Sequence, residues 1–194
     1  MVNYFWDSCA LIEYLNDNDD GNKKNNLQWF LDDAKSGKCK IHISTLSLAE
    51  ILPSRIVSEA YRNIDDFLND FQGHLIPVTP NTNIMRMAAK LRDNQYQKFV
   101  NHAVGYSPSR KLDAPDAIIL ASAVYLEKAN GISLEAFHTY DNGGQHRADG
   151  GRSVPILSIE DWRRLDLEYD PIVDDVIALT RETPVYPDPR LAGV

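Results

Sequence analysis

The segment Pro115–Asn130, PDAIILASAVYLEKAN, constrains this chain more than any other stretch. Its apolar residues fall almost all the way round a helix, so it belongs deep in a core, covered on every side. The cover is visible elsewhere in the sequence. Short apolar runs, VNYFW from Val2, KIHIS from Lys40, HLIPV from His74, AFHTY from Ala136 and VPIL from Val154, read as strands. Between them lie helical patterns: Ala10, Leu11, Tyr14 and Leu15; LQWFLDDAK ending at Gly37; LSLAEIL ending before Pro53; Ser54 to Phe71; and Asn83 to about Val104. Strands alternating with helices predict an α/β fold, a parallel β-sheet flanked by helices. The 194 residues suit one domain over residues 1–165, followed by an acidic, proline-containing extension over 166–194.

Four acids fall at telling places in this pattern. Asp7 and Asp141 each follow an apolar strand at its carboxyl end. Glu50 lies on the short helix after the second strand, and Asp116 occupies the first turn of the core helix. Open α/β sheets bind ligands outside the carboxyl ends of their strands, so the four can converge on one crevice. Carboxylates about 5 Å apart repel by roughly 3 kcal/mol per pair at an effective dielectric near 20. Such a set calls for a cation, and an all-oxygen donor set favours Mg²⁺ or Mn²⁺. Carboxylate-held Mg²⁺ characteristically serves phosphate chemistry. The chain has no GxxxxGK[ST], no GxGxxG and no evident Ser/His/Asp motif, so hydrolysis of a phosphodiester is the economical expectation.

Each acid also has a plainer reading. Asp7 is a preferred helix N-cap residue, Glu50 suits a solvated helix, and Asp141 precedes the turn dipeptide Asn142-Gly143. Asp113-Ala-Pro-Asp116 resembles a capping box, with Asp113 the better cap and also a candidate assistant to the site. Ser8, Ser44 and Thr139 flank the acids and are candidates for holding water, with capping as their ordinary role. The five histidines are scattered without ligand spacing. NDNDDG lacks the twelfth-position Glu of a calcium loop, and GGQHRADGG reads as a loop in which Arg147 or Arg152 meets substrate.

DSCALIEYL after the first strand, STLSLAE, KLDAPDAIILASA and FHTYDNG together resemble the PIN-domain nucleases, especially the ribonuclease toxins of bacterial toxin–antitoxin pairs. The motifs occur in family order over residues 1 to about 163, and APDAIILASA is the most specific of them. The resemblance implies a Mg²⁺- or Mn²⁺-dependent endoribonuclease leaving 5′-phosphate and 3′-hydroxyl ends, often a homodimer bound by an antitoxin. Asp7, Glu50, Asp116 and Asp141 match the family's acidic positions. Many relatives carry a further acid soon after the last one, where this chain has Asn142, Gly143 and Gly144. The alternatives are a non-catalytic RNA-binding or scaffold protein of the same fold, and a DNA-directed nuclease. An aspartyl phosphotransferase would need a second acid at the position of Cys9.

Charge adds a constraint on partners. The chain carries 20 basic and 28 acidic residues, a net −8, which disfavours passive binding to a polyanion. The distribution is uneven. Residues 86–111 hold six basic residues against Asp93, with Tyr96, Phe99 and Tyr106 interleaved, as suits a nucleic-acid strand or, equally, a solvated helix face. From Arg164 onward there are three arginines against seven acids. Two cysteines without a CxxC, no signal-like start and no long apolar run lead us to expect a reduced, cytoplasmic protein without a membrane span.

Overall fold

The computed structural model describes residues 1–16, 21–57, 60–143 and 153–186. Strand β1 (Val2–Trp6) alternates its large side chains between two faces and runs directly into Asp7, the N-cap of α1 (Ser8–Leu15). Helix α2 (Gly21–Lys35) starts before the apolar run that reveals it and stops at Gly37. There the Gly37 N–H bonds Ala34 O and the Lys38 N–H bonds Asp33 O, the paired bonds of a Schellman cap. Gly37 takes φ +75°, a conformation open to glycine at no steric cost.

β2 (Cys39–Ser44) leads into α3 (Thr45–Glu50), with the Ser44 hydroxyl accepting from the Leu46 N–H. The single long helix expected from Ser54 is absent. Pro53–Arg55 forms a 3₁₀ turn, the Val57 N–H is drawn to Leu15 O, and α4 (Ile64–Asp70) starts only where Asn63 caps it. After β3 (Leu75–Val78), α5 (Thr82–Asp93) is likewise shorter than its pattern. Tyr96 and Arg110 exchange both backbone hydrogen bonds, at 3.0 and 2.8 Å, pulling the intervening chain into a ribbon of β4 (Phe99–Asn101) and β5 (Gly105–Tyr106). Helix α6 (Ala114–Lys128) is the core helix, with Ala117, Ile119, Leu120, Ala121, Ala123 and Val124 all essentially inaccessible.

The sheet is parallel throughout, in the order β3-β2-β1-β6-β7, where β6 is Ala136–His138 and β7 is Arg181–Glu182. Phe5 points into a core shared with α5 and α6, whereas its neighbour Trp6 points into a second core with α1, α2 and α4. That is the period of two expected of a strand covered on both faces. VPIL is not a strand of the sheet: Val154 and Ile156 are buried plugs of the first core, and the fifth strand comes from beyond Arg164.

The same distal segment supplies α7 (Pro171–Ala178), which packs Ile172, Val173 and Val176 into that core beside α5 and α6. Arg181 fastens it. Its guanidinium donates to Val176 O, Ile177 O and Leu179 O, its Nε–H to Ile156 O, and it pairs with Glu160. Further on, Tyr186 stacks on Trp29 and donates to Asp33 at 2.7 Å. Among the described residues no helix is long and apolar enough to cross a membrane.

Candidate active site

The chain order in the sheet reverses between β1 and β6. Helices leading from β1 to β2 cover one face, and α5 and α6, which lead into β6, cover the other. The crevice beyond the carboxyl ends of these two strands is therefore the switch point at which such folds bind ligands. Asp7 follows β1, Asp141 follows β6 closely, and α3 and α6 bring Glu50 and Asp116 to the same end.

Asp7 is buried, 3% exposed, and its carboxylate is held on both oxygens. Oδ1 accepts from the Ser8 N–H at 2.7 Å and from the Ser8 hydroxyl at 3.3 Å. Oδ2 accepts from the Thr139 hydroxyl at 2.7 Å and the Cys9 thiol at 3.0 Å. Thr139 in turn accepts from the Asp141 N–H, and Cys9 from the Tyr140 N–H. One network thus fixes the ends of β1 and β6 to each other. Burial raises the Asp7 pKa against these hydrogen bonds, and Asp141 raises it further.

Asp116 and Glu50 are different. Burial, then Asp7, Asp141, Asp113 and Glu50, push the Asp116 carboxyl up to about 8. Burial and Asp7 also raise Glu50, opposed by a hydrogen bond from Ser8, and its Oε2 is buried without a hydrogen-bond partner. Among the described residues, none of the four acids forms an ion pair with a Lys or Arg. An orphaned carboxylate oxygen and a carboxyl raised by burial and by its like-charged neighbours fit the chemistry of a divalent cation held by oxygen donors. The side chains are not drawn together, however. Among the described residues no three His, Cys, Asp or Glu groups are gathered so as to hold an ion.

Both carboxylate oxygens of Asp141 are occupied. Its Oδ1 accepts from the Gly143 N–H at 3.1 Å and its Oδ2 from the Ile156 N–H at 3.0 Å. Gly143, at φ +82°, lies so near Pro155 that a Cβ there would stand 2.5 Å from its Cγ. The turn-residue reading of Asp141 is therefore realised, while its charge still acts on Asp7 and Asp116. Asp113 occupies the N-cap position of α6 but caps with no side-chain hydrogen bond, so the capping-box reading fails there. Ser44 is occupied as a cap, and Thr139 orients Asp7. Sequence reasoning passed over Cys9, because a lone cysteine two residues after an acid carries no signal. Its part depends on β6 lying beside β1. Arg147, Arg152 and His146 lie outside the described residues.

No family model matches the chain, and no curated protein matches it. Among solved structures it is similar to a chain of the VapBC2 complex from Rickettsia felis bound to a DNA fragment from their promoter, at 17% identity over 63% of this chain and 80% of that one, with a TM-score of 0.39. A likeness at that level says nothing of what this chain does, and function has to be argued from the crevice itself.

Proposed function

We propose that this chain is a PIN-like, metal-dependent endoribonuclease that hydrolyses RNA phosphodiester bonds. Asp7, Glu50, Asp116 and Asp141 surround a Mg²⁺ or Mn²⁺ ion in this reading. The observation that carries it is the state of Asp116 and Glu50: a carboxyl pushed up to about 8 by burial and then by its neighbouring acids, and a buried carboxylate oxygen with no hydrogen-bond partner. A bound divalent cation supplies the missing counter-charge, activates water and offsets charge developing on the phosphoryl oxygens.

The residues divide the remaining work. Asp7 is preset by Ser8, Cys9 and Thr139, so it needs little reorganisation to act as a ligand. Glu50 and Asp116 keep lone pairs available and are the adaptable members. Asp141 contributes charge while anchoring the segment that returns through Ile156. The order of sequence motifs supports RNA as substrate, an antitoxin as partner and a homodimer.

Labelled RNA and DNA strands incubated with EDTA, Mg²⁺ or Mn²⁺ test the proposal. Cleavage of RNA only with metal, lost in Asp116→Asn, is expected. Full activity in EDTA would overturn it. A second reading, a non-catalytic RNA-binding protein of this fold, is favoured by the ungathered acids and by the hydrogen bonds that occupy Asp141. RNA binding without cleavage in any of these metals would select it.

A further inference from the structure

Beside α5 lies an open cavity of about 510 Å³ lined by Ala89, Lys90, Arg92, Asp93 and Lys111. Three cations against one acid is unusual in a chain of net −8. Six cations elsewhere are neutralised by partners: Lys35 by Asp70, Lys38 by Asp33, Lys98 by Asp161, Lys128 by Asp175, Arg163 by Asp174 and Arg181 by Glu160. In the cavity Lys90 is held by Asp170 at 3.0 Å. Arg92 and Lys111 are exposed and, among the described residues, pair with no acid.

The cavity also lies close to the acids along the chain. From Lys111 two extended residues reach Asp113, and three more reach Asp116 in the first turn of α6. Those steps separate the Lys111 and Asp116 Cα atoms by about 12 Å when laid end to end. Lys111 also bridges Ser153, and three residues further on Ile156 holds Asp141. Two chain segments thus run from the rim of the cavity to the carboxylates.

Resting on the nuclease reading above, we infer that Arg92 and Lys111 form a phosphate subsite gripping the backbone of a single-stranded RNA a few nucleotides from the cleaved bond. A polyanion approaching a cluster of acids in an acidic protein needs a local attractive foothold. A guanidinium and an ammonium without internal partners provide one. A lone phosphate would have little reason to prefer this shallow cavity, whereas a strand spans it and the crevice together.

The test is fluorescence anisotropy of a labelled single-stranded RNA in EDTA, comparing wild type with Arg92→Gln/Lys111→Gln over a salt series. Both side chains are exposed, and circular dichroism checks that the variant is folded. Losing two phosphate contacts should reduce the slope of log K against log salt by about 1.4. Taken as counterion release alone, the weakening has a ceiling of roughly 60-fold at 50 mM salt and roughly tenfold at 200 mM. Inorganic phosphate and a mononucleotide should compete only weakly. An unchanged slope and affinity in a folded variant would overturn the subsite while leaving the nuclease reading intact. Competition by inorganic phosphate as strong as that by the unlabelled strand would also overturn it, by showing a simple anion pocket. A wild-type protein that binds no RNA in EDTA would overturn the subsite, since Arg92 and Lys111 need no metal, and would leave the metal-dependent cleavage assay to decide the nuclease reading.

Discussion

Asp116→Asn in the metal-free protein tests the electrostatics of the crevice most directly. Burial, with the neighbouring acids, pushes the Asp116 carboxyl up to about 8 in the folded chain, against an ordinary value of 3.8. Between those values the folded state keeps a proton that the unfolded state has shed, so stability falls as pH rises. From pH 5 to pH 8 the shift corresponds to a ceiling of about 4 kcal/mol, at roughly 1.4 kcal/mol per pH unit. Water and ions at the mouth of the crevice screen the neighbouring charges, and about 2 kcal/mol is the realistic loss. Asparagine carries no charge to lose, so its curve should be flatter by that amount. Urea denaturation in EDTA at pH 5 and pH 8 measures the difference. The variant should gain about 2 kcal/mol on wild type over the interval. With Mn²⁺ the order should reverse, because a ligand that binds only the folded wild-type site stabilises it by mass action. Parallel pH curves for the two proteins in EDTA would refute the account of Asp116.

Three further outcomes are expected. Asp7→Asn and Glu50→Gln should each abolish metal-dependent RNA cleavage while keeping a native circular dichroism spectrum, and Ca²⁺ should replace Mn²⁺ poorly because its coordination is larger and looser; a fully active variant would remove that residue from the site. Thr139→Val should cost about 1–3 kcal/mol in denaturant melts and reduce turnover, since the Asp7 Oδ2 loses its 2.7 Å donor and the Asp141 N–H loses its acceptor; unchanged stability and turnover would show that Asp7 needs no orientation. Arg181→Ala should cost about 1–3 kcal/mol, because it strips the carbonyls of the last turn of α7 of their donor; a loss below about 1 kcal/mol would mean that the distal segment is not fastened there.

The alternating architecture was legible because it rests on local periodicities. β1, β2, β3, α1 and α6 each carry an apolar pattern long enough to declare itself, and Asp7 and Asp116 are placed directly by the elements they adjoin. The misreadings were equally physical. A helical pattern over 83–104 stops at Asp93 because the backbone of Tyr96 pairs with that of Arg110, fourteen positions on. The pattern from Ser54 is overridden by the 3₁₀ turn at Pro53 and by a bond from Val57 to Leu15. Residues 86–111 form a basic stretch that suits a nucleic-acid strand or, equally, a solvated helix face, and within it Lys90 and Lys98 are paired with Asp170 and Asp161 while Arg110 lies over Trp162.

What sequence alone determined is the alternation of helix and strand and the placing of three acids at strand ends or a helix start, with Glu50 on the short helix after β2, since all depend on near neighbours. Tertiary structure decided how those acids differ. Asp7 is locked because β6 lies beside β1, Asp141 is occupied because Ile156 returns to it, and Glu50 is left with a bare oxygen. It also decided the fifth strand. Arg181–Glu182 is too short to show any periodicity, and it becomes a strand only because the edge of β6 offers unpaired amides to Thr180 O and Glu182 O, while α7 holds the segment against the core. Hydrogen-bond partners 15 to 132 residues apart leave no trace in a local pattern, and in this protein they set the chemistry of the crevice.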